Sequence, residues 1–163
     1  MSRRTSRPTG SAAASPTASP EVSPKASAGA NPVRTAPGAP CPCGLPATYA
    51  DCCGRFHSAG AAAPTCEALM RSRYAAFVVR DAGYLLRTWH PDTRPPAVDF
   101  DPAMRWTGLD ILEATDGSAF HSTGTVTFRA GYTDGGRPDA LHEKSRFVRH
   151  EGAWVYASAV FID

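Results

Sequence analysis

No aromatic residue and almost no large aliphatic one occurs between Met1 and Pro40, where Ala, Ser, Pro, Thr and Gly dominate. Such a segment cannot bury enough apolar surface to offset the entropy of ordering it, so residues 1–40 are expected to form a disordered tail. No apolar stretch follows Arg3 and Arg4, which argues against a twin-arginine export signal and against a membrane span. The expected location is the cytoplasm, with no membrane partner. Also missing is a basic stripe interleaved with aromatic platforms. The net charge of +2 is split: Arg3, Arg4, Arg7, Lys25 and Arg34 against Glu21 leave the tail at +4 and the remainder at −2. A mildly acidic body disfavours nucleic-acid binding, and the tail reads as solvated rather than as an RNA-binding arm.

What the chain does have is sulfur concentrated in one place. Cys41, Cys43, Cys52 and Cys53 lie in the segment CPCGLPATYADCCGRFH. Two closely spaced thiols, then two adjacent ones, across a loop holding Gly44 and Pro46, can converge on one point while the loop folds back. Soft thiolates select zinc, which takes sulfur at about 2.3 Å in closed, four-ligand structural sites. Such a site leaves no position for substrate. It acts as a staple, and its binding free energy becomes folding free energy for a segment too short to build its own core. Four thiolates around a divalent cation leave a local charge of about −2, for backbone amides and Arg55 or His57 to offset. Disulfides are a competing reading. Vicinal Cys52 and Cys53 pair only with strain, however, and bridges to Cys41 and Cys43 need an oxidising compartment that nothing else indicates. Iron–sulfur ligation is a third, with no other redox motif to give it an electron-transfer context. Zinc is the preferred reading. His57 is an alternative fourth ligand if Cys53 points away.

From about Pro40 to Gly54 the segment resembles the SEC-C motif, the small zinc-binding element found in the C-terminal tail of the SecA translocation ATPase. That motif reads C-P-C-G-S-G, an aromatic residue, then C-C or C-H. The resemblance implies Cys41, Cys43, Cys52 and Cys53 as ligands, Tyr49 as the loop's packing aromatic, and a fourth ligand placed directly after the third. Leu45-Pro46 replaces the usual Ser-Gly and implies a stiffer loop. In SecA-type proteins the motif engages a chaperone, so the resemblance also implies a protein or ribosomal partner for a knuckle spanning residues 41–58.

The body begins after a small-residue linker, Ala59 to Pro64. Thr65 offers an N-cap with Glu67 in the first turn, and a helix is predicted from Cys66 to about Arg80. Leu69, Met70, Tyr74, Phe77 and Val78 form its apolar stripe, with Arg71 and Arg80 toward solvent. Asp81 opens a shorter helix through Tyr84, Leu85, Leu86 and Trp89, which His90-Pro91 ends. From Trp106 the period becomes two. Leu109 and Ile111 mark one strand; Val126, Phe128, Ala130 and Tyr132 share a face of the next; Phe147 lies in a third. Trp154, Tyr156, Ser158 and Val160 mark one face of the last. Asp134-Gly135-Gly136 and Glu151-Gly152 read as hairpin turns. Two helices followed by an antiparallel meander predict an α+β fold over residues 64–163, a cone in which a curved sheet wraps the helices.

The stretches LMRSRYAAFVVRDAGYLLRTWHP and LHEKSRFVRHEGAWVY, placed after CCGRFH, resemble the YchJ family of small bacterial proteins, from Cys41 to Tyr156. The resemblance implies a nuclear transport factor 2-like (cystatin-like) domain behind a SEC-C zinc knuckle. It supplies an architecture without a reaction.

Folds of this type often hold a ligand between sheet and helices. Arg73, Tyr74, Trp89, His90, Trp106, His142, Glu143, Ser145 and Arg146 are the candidate pocket residues. One reading sets Glu143 or His142 as a general base beside an arginine that holds an anionic or carbonyl substrate. The preferred one has Glu143 accepting from Arg73 or Trp106 as a buried polar pair. His90 is read as a helix-ending residue. Cys66, where a helix dipole could activate a thiol, is read as a small filler. The expectation is a zinc-binding, non-catalytic interaction or scaffold protein. The alternative is a small-molecule binder or an isomerase, dehydratase or hydrolase that uses the cone.

Overall fold

The computed structural model describes residues 35–162; the expected disorder of residues 1–34 lies outside them. Backbone pairing begins ahead of the first cysteine. Tyr49 N donates to Ala39 O at 2.8 Å, Ala50 N donates to Pro37 O at 3.0 Å, and Pro40 bridges Thr48. The residues just before Cys41 thus pair with the knuckle instead of continuing the tail.

Three helices follow. α1 is one turn, Cys53–His57, and carries the fourth cysteine; the sequence reading did not anticipate it. α2, Cys66–Val79, starts where Thr65 Oγ1 accepts from Ala68 N at 3.1 Å, and ends at Arg80 in the left-handed conformation, φ 60°. α3, Ala82–Arg87, starts where Asp81 Oδ1 accepts from Tyr84 N at 2.9 Å. Among the described residues no helix is long and apolar enough to cross a membrane.

The buried surface of α2 is wider than one stripe. Ser72, Arg73, Ala75, Ala76 and Val79 are buried beside Leu69, Met70 and Tyr74. The physical reason is that two bodies cover it: the cone packs on one side, and the cysteine quartet packs against Ala75 on another. Arg71, expected toward solvent, instead reaches the knuckle and donates from Nη1 to Cys43 O at 3.0 Å.

Four strands form an antiparallel meander in the order β1 (Met104–Asp116), β2 (Thr123–Asp134), β3 (Arg137–His150) and β4 (Ala153–Phe161). Both tight turns use positive φ at their two central residues, Gly135 and Gly136 in one and Glu151 and Gly152 in the other. That is the twist-compatible geometry for a two-residue hairpin. A bulge corrects one expectation. Arg146 pairs with Ser158 but Phe147 pairs with Tyr156, so Ala157 is left over. The extra residue shifts the alternation: Trp154 and Tyr156 are buried, whereas Ser158 and Val160 are exposed and Ala159 pairs with buried Ser145.

The backbone that leaves α3 is stitched to β4. Tyr156 N donates to Thr88 O, and His90 N donates to Tyr156 O, each at 2.8 Å. This covers part of the sheet edge that would otherwise present unpaired amides. The core of the cone comprises Leu69, Tyr74, Leu85, Val126, Phe128, Phe147 and Trp154, joined by Val98 and Phe100 from the connection into β1. Cys66 fills a niche against Gly117 and Gly124, where a Cβ at either glycine would fall 2.5–2.6 Å from its sulfur.

Candidate metal centre and cone interior

The loop of the knuckle folds back on itself through local bonds. Cys41 N donates to Ala47 O at 3.0 Å and Gly44 N donates to Cys41 O at 3.1 Å, with Gly44 at φ 92°. Cys52 N and Gly54 N both donate to Tyr49 O, at 3.1 and 2.8 Å. A Cβ at Gly54 would lie 2.6 Å from that same oxygen, so the approach needs glycine.

The result is convergence of the four sulfurs. The Sγ atoms of Cys41, Cys43, Cys52 and Cys53 all lie within 4.8 Å of one another, and all four residues are buried. Cys43 Sγ and Cys52 Sγ are 3.6 Å apart, and none of the cysteines forms a disulfide. An ion with four sulfurs at about 2.3 Å has tetrahedral edges of about 3.8 Å. The quartet therefore has close to the span of a closed four-thiolate shell, and it can hold a metal ion. Its protons are unequally shared. Hydrogen bonds from Cys43 and Cys53 hold the Cys41 thiol far below the usual range, the same bonding pushes Cys53 far above it, and burial pushes Cys52 up to about 11. Four thiols this close ionise together only if a cation neutralises them.

His57 does not join the quartet. Its Nε2 lies 2.8 Å from Ser72 O, which can only accept, so Nε2 carries the proton. Nδ1 then accepts from the Tyr49 hydroxyl at 2.5 Å. Both ring nitrogens are committed, and burial lowers the pKa and favours the neutral ring. The alternative of His57 as fourth ligand gives way to Cys53. Further bonds fix the knuckle to the body: Arg87 Nη2 donates to Phe56 O at 3.1 Å and to His57 O at 2.8 Å. Arg55 Nε donates to Cys52 O at 3.2 Å beside the sulfurs.

Inside the cone is a cavity of about 30 Å³. Of the nine pocket candidates, Arg73, Tyr74, Trp106, Glu143 and Ser145 line it. The structure separates the other four from it. Trp89 lies buried behind Arg73, whose guanidinium sits 5.0 Å from its ring. His90 lies outside, accepting from Asp92 N and facing His150. Arg146 is exposed and His142 only partly buried, because strand alternation turns both away from the face that carries Glu143 and Ser145. The remaining walls are Met70, Phe77, Phe128, Ala130, Leu141 and Tyr156. Apart from the Tyr156 hydroxyl these carry no polar signal that a search for chemistry would single out, although the alternation of Phe128 and Ala130 places them on the inner face.

Glu143 is 1% exposed. Its donor is neither Arg73 nor Trp106: Ser145 Oγ donates to Oε1 at 2.8 Å, and the buried Oε2 has no hydrogen-bond partner. Arg73 donates from Nη1 to Leu85 O at 2.8 Å and Thr88 Oγ1 at 2.7 Å, and its guanidinium lies over Trp89 and Tyr156. Burial raises the Glu143 carboxyl to about 7, against lowering effects from Ser145 and Arg73. Burial likewise pushes the Cys66 thiol up to about 12, which leaves it protonated and unreactive at neutral pH.

A family model for the middle, nuclear transport factor 2-like domain of YchJ matches residues 65–159, and a SEC-C motif model matches residues 39–55. The chain belongs to the YchJ family. A UPF0225 protein from Streptomyces coelicolor is 66% identical over 127 residues, spanning 78% of this chain and 99% of the relative. A UPF0225 protein from Corynebacterium glutamicum is 50% identical over 121 residues, 74% of this chain and 96% of the relative. Among solved structures, a SEC-C motif containing protein from Rhodopseudomonas palustris matches with a TM-score of 0.67 at 33% identity, covering 76% of this chain and 99% of that one. A second SEC-C motif containing protein, from Psychrobacter arcticus, matches with a TM-score of 0.58 at 27% identity, covering 77% and 81%. The chain therefore carries the expected combination, a SEC-C knuckle ahead of two longer helices and a curved four-stranded sheet.

Proposed function

We propose that the knuckle holds one structural zinc ion and that the protein is a non-catalytic, zinc-dependent interaction module of the cytoplasm. The observation that carries this reading is the set of four buried sulfurs within 4.8 Å. An all-thiolate donor set suits zinc, and four protein ligands leave no open position at which the metal could act on a substrate. Bound zinc supplies cross-linking of a short segment, while Tyr49, His57, Arg71 and Arg87 tie that segment to the cone.

The surface offered to a partner is the loop between the two cysteine pairs. Gly44 to Ala47 are exposed while the flanking cysteines are buried, and Leu45 at the tip is 40% exposed. A rigid loop with an apolar tip suits a protein partner, free or on the ribosome, better than a nucleic acid, since it has no basic stripe. The test is a photo-crosslinking residue in place of Leu45, expressed in cells in the wild-type background and with Cys52→Ser. A discrete crosslinked species that disappears with Cys52→Ser supports the reading. The same crosslinks in both backgrounds, or none in either, contradict it.

A further inference from the structure

The Glu143 carboxyl is a polar feature of the cone that the knuckle leaves unexplained. It lines an otherwise largely apolar cavity, its Oε1 is engaged by Ser145, and its buried Oε2 has no partner. Among the described residues no cation lies within 4.0 Å of it. A fully buried carboxylate with one oxygen unsatisfied and no ion pair is strongly disfavoured relative to the neutral acid. With Ser145 donating to Oε1, the acid proton resides on Oε2 as a buried donor that lacks an acceptor.

The walls determine what could accept from it. Tyr74, Phe128, Ala130 and Met70 are buried, whereas Phe77, Trp106 and Leu141 are partly exposed and mark the open side. A cavity of about 30 Å³ admits only one or two water-sized groups, so only the end of a ligand enters. Phe77 and Trp106 also border a neighbouring hollow of about 210 Å³, lined further by Val78, Phe100 and Met104 and by the charged Arg80, Asp101 and Arg105, so an apolar body leaving the pit would rest on Phe77 and Trp106. Charge is excluded from both directions. An ammonium would face the buried Arg73 guanidinium, and a carboxylate would have to leave water for a largely apolar pit, whereas a neutral oxygen accepting from the Glu143 acid incurs neither cost.

We infer that the cone binds a small neutral molecule with an apolar body and one hydrogen-bond-accepting oxygen, as in a ketone, ether or alcohol, anchored by donation from Glu143 Oε2. The inference is independent of the zinc reading, since every residue involved lies on α2, the sheet or the connection into β1, outside the knuckle. The titratable or charged groups that face Glu143 across the cavity are Arg73 and Tyr74 from α2 and Tyr156 from β4. β1 and β2 contribute Trp106, Phe128 and Ala130.

The experiment titrates the full-length, metal-loaded protein with cyclohexanone at pH 6, followed by backbone amide NMR, beside cyclohexylammonium and cyclohexanecarboxylate. Cyclohexanone should give saturable shifts at Ala130, Leu141, Glu143 and Ser145, and bind at least about tenfold more tightly than either charged analogue, a difference of roughly 1.4 kcal/mol. Glu143→Gln, whose amide still donates, should stay within about threefold, and Glu143→Leu should weaken binding about tenfold or more. Raising the pH to 9 should weaken the ketone on the wild type and leave Glu143→Gln unchanged, a comparison that holds even if the leucine variant fails to fold. The absence of saturable shifts, meaning that only water occupies the cavity, overturns the inference. So do tighter binding of a charged analogue, undiminished binding by folded Glu143→Leu, and parallel pH profiles for wild type and Glu143→Gln.

Discussion

His57 donates from Nε2 to the Ser72 carbonyl at 2.8 Å, and this bond joins the knuckle to the middle of α2. The other ring nitrogen holds Tyr49, so a single neutral imidazole bridges the cysteine loop and the cone. His57→Phe keeps much of the ring packing against Tyr84 but leaves the Tyr49 hydroxyl and the Ser72 carbonyl without their partner. The expected loss is about 1–3 kcal/mol in urea denaturation, with zinc stoichiometry unchanged because His57 is not a ligand. A fall in bound zinc without loss of stability would reverse these roles.

The niche that holds Cys66 gives a second prediction. A Cβ at Gly124 would lie 2.6 Å from Cys66 Sγ and equally close to the backbone of Gly117, so Gly124→Ala overpacks the junction of α2 with the β1–β2 loop. The expected destabilisation is roughly 1–3 kcal/mol. Cys66→Ala removes the sulfur and should relieve part of it, so that the double variant is less destabilised than the sum of the singles. Strict additivity would show that the sulfur is not what the methyl meets.

Glu143 makes stability depend on pH in a defined direction. Burial raises its pKa from 4.5 to about 7, so the native chain binds more protons than the unfolded chain between those values. Its contribution is fully present below the unfolded value and is lost as pH rises through about 7, at up to about 1.4 kcal/mol per pH unit. Glu143→Gln should remove this slope and be the more stable chain at pH 8. Chemical denaturation of both proteins from pH 5 to 8 checks it, and parallel slopes would contradict it.

Much of this was legible from the chain because the relevant signals are local. The cysteine quartet, the Thr65 and Asp81 caps and the two hairpin turns each depend on residues within a few positions of one another. What escaped depends on pairing across the fold. The leftover Ala157 moves Ser158 and Val160 to the outside, and no feature of the β4 sequence alone announces a bulge set by its register with β3. The same holds for His142 and Arg146, which flank Glu143 and Ser145 in sequence but lie on the other face of the strand. Arg71 looked solvated because a helical wheel cannot show the knuckle lying against it. Ser145 as the donor to Glu143 was within reach, since residues two apart on a strand share a face.

Metal content tests the central claim most directly. Full-length protein, purified without added metal and freed of loosely bound ions, should carry one zinc per chain by elemental mass spectrometry, with Cys52→Ser carrying close to none. Chelation of the wild-type protein should lower its thermal midpoint. Wild-type protein that is folded, free of metal and indifferent to a chelator, or that carries iron in place of zinc, would contradict the account.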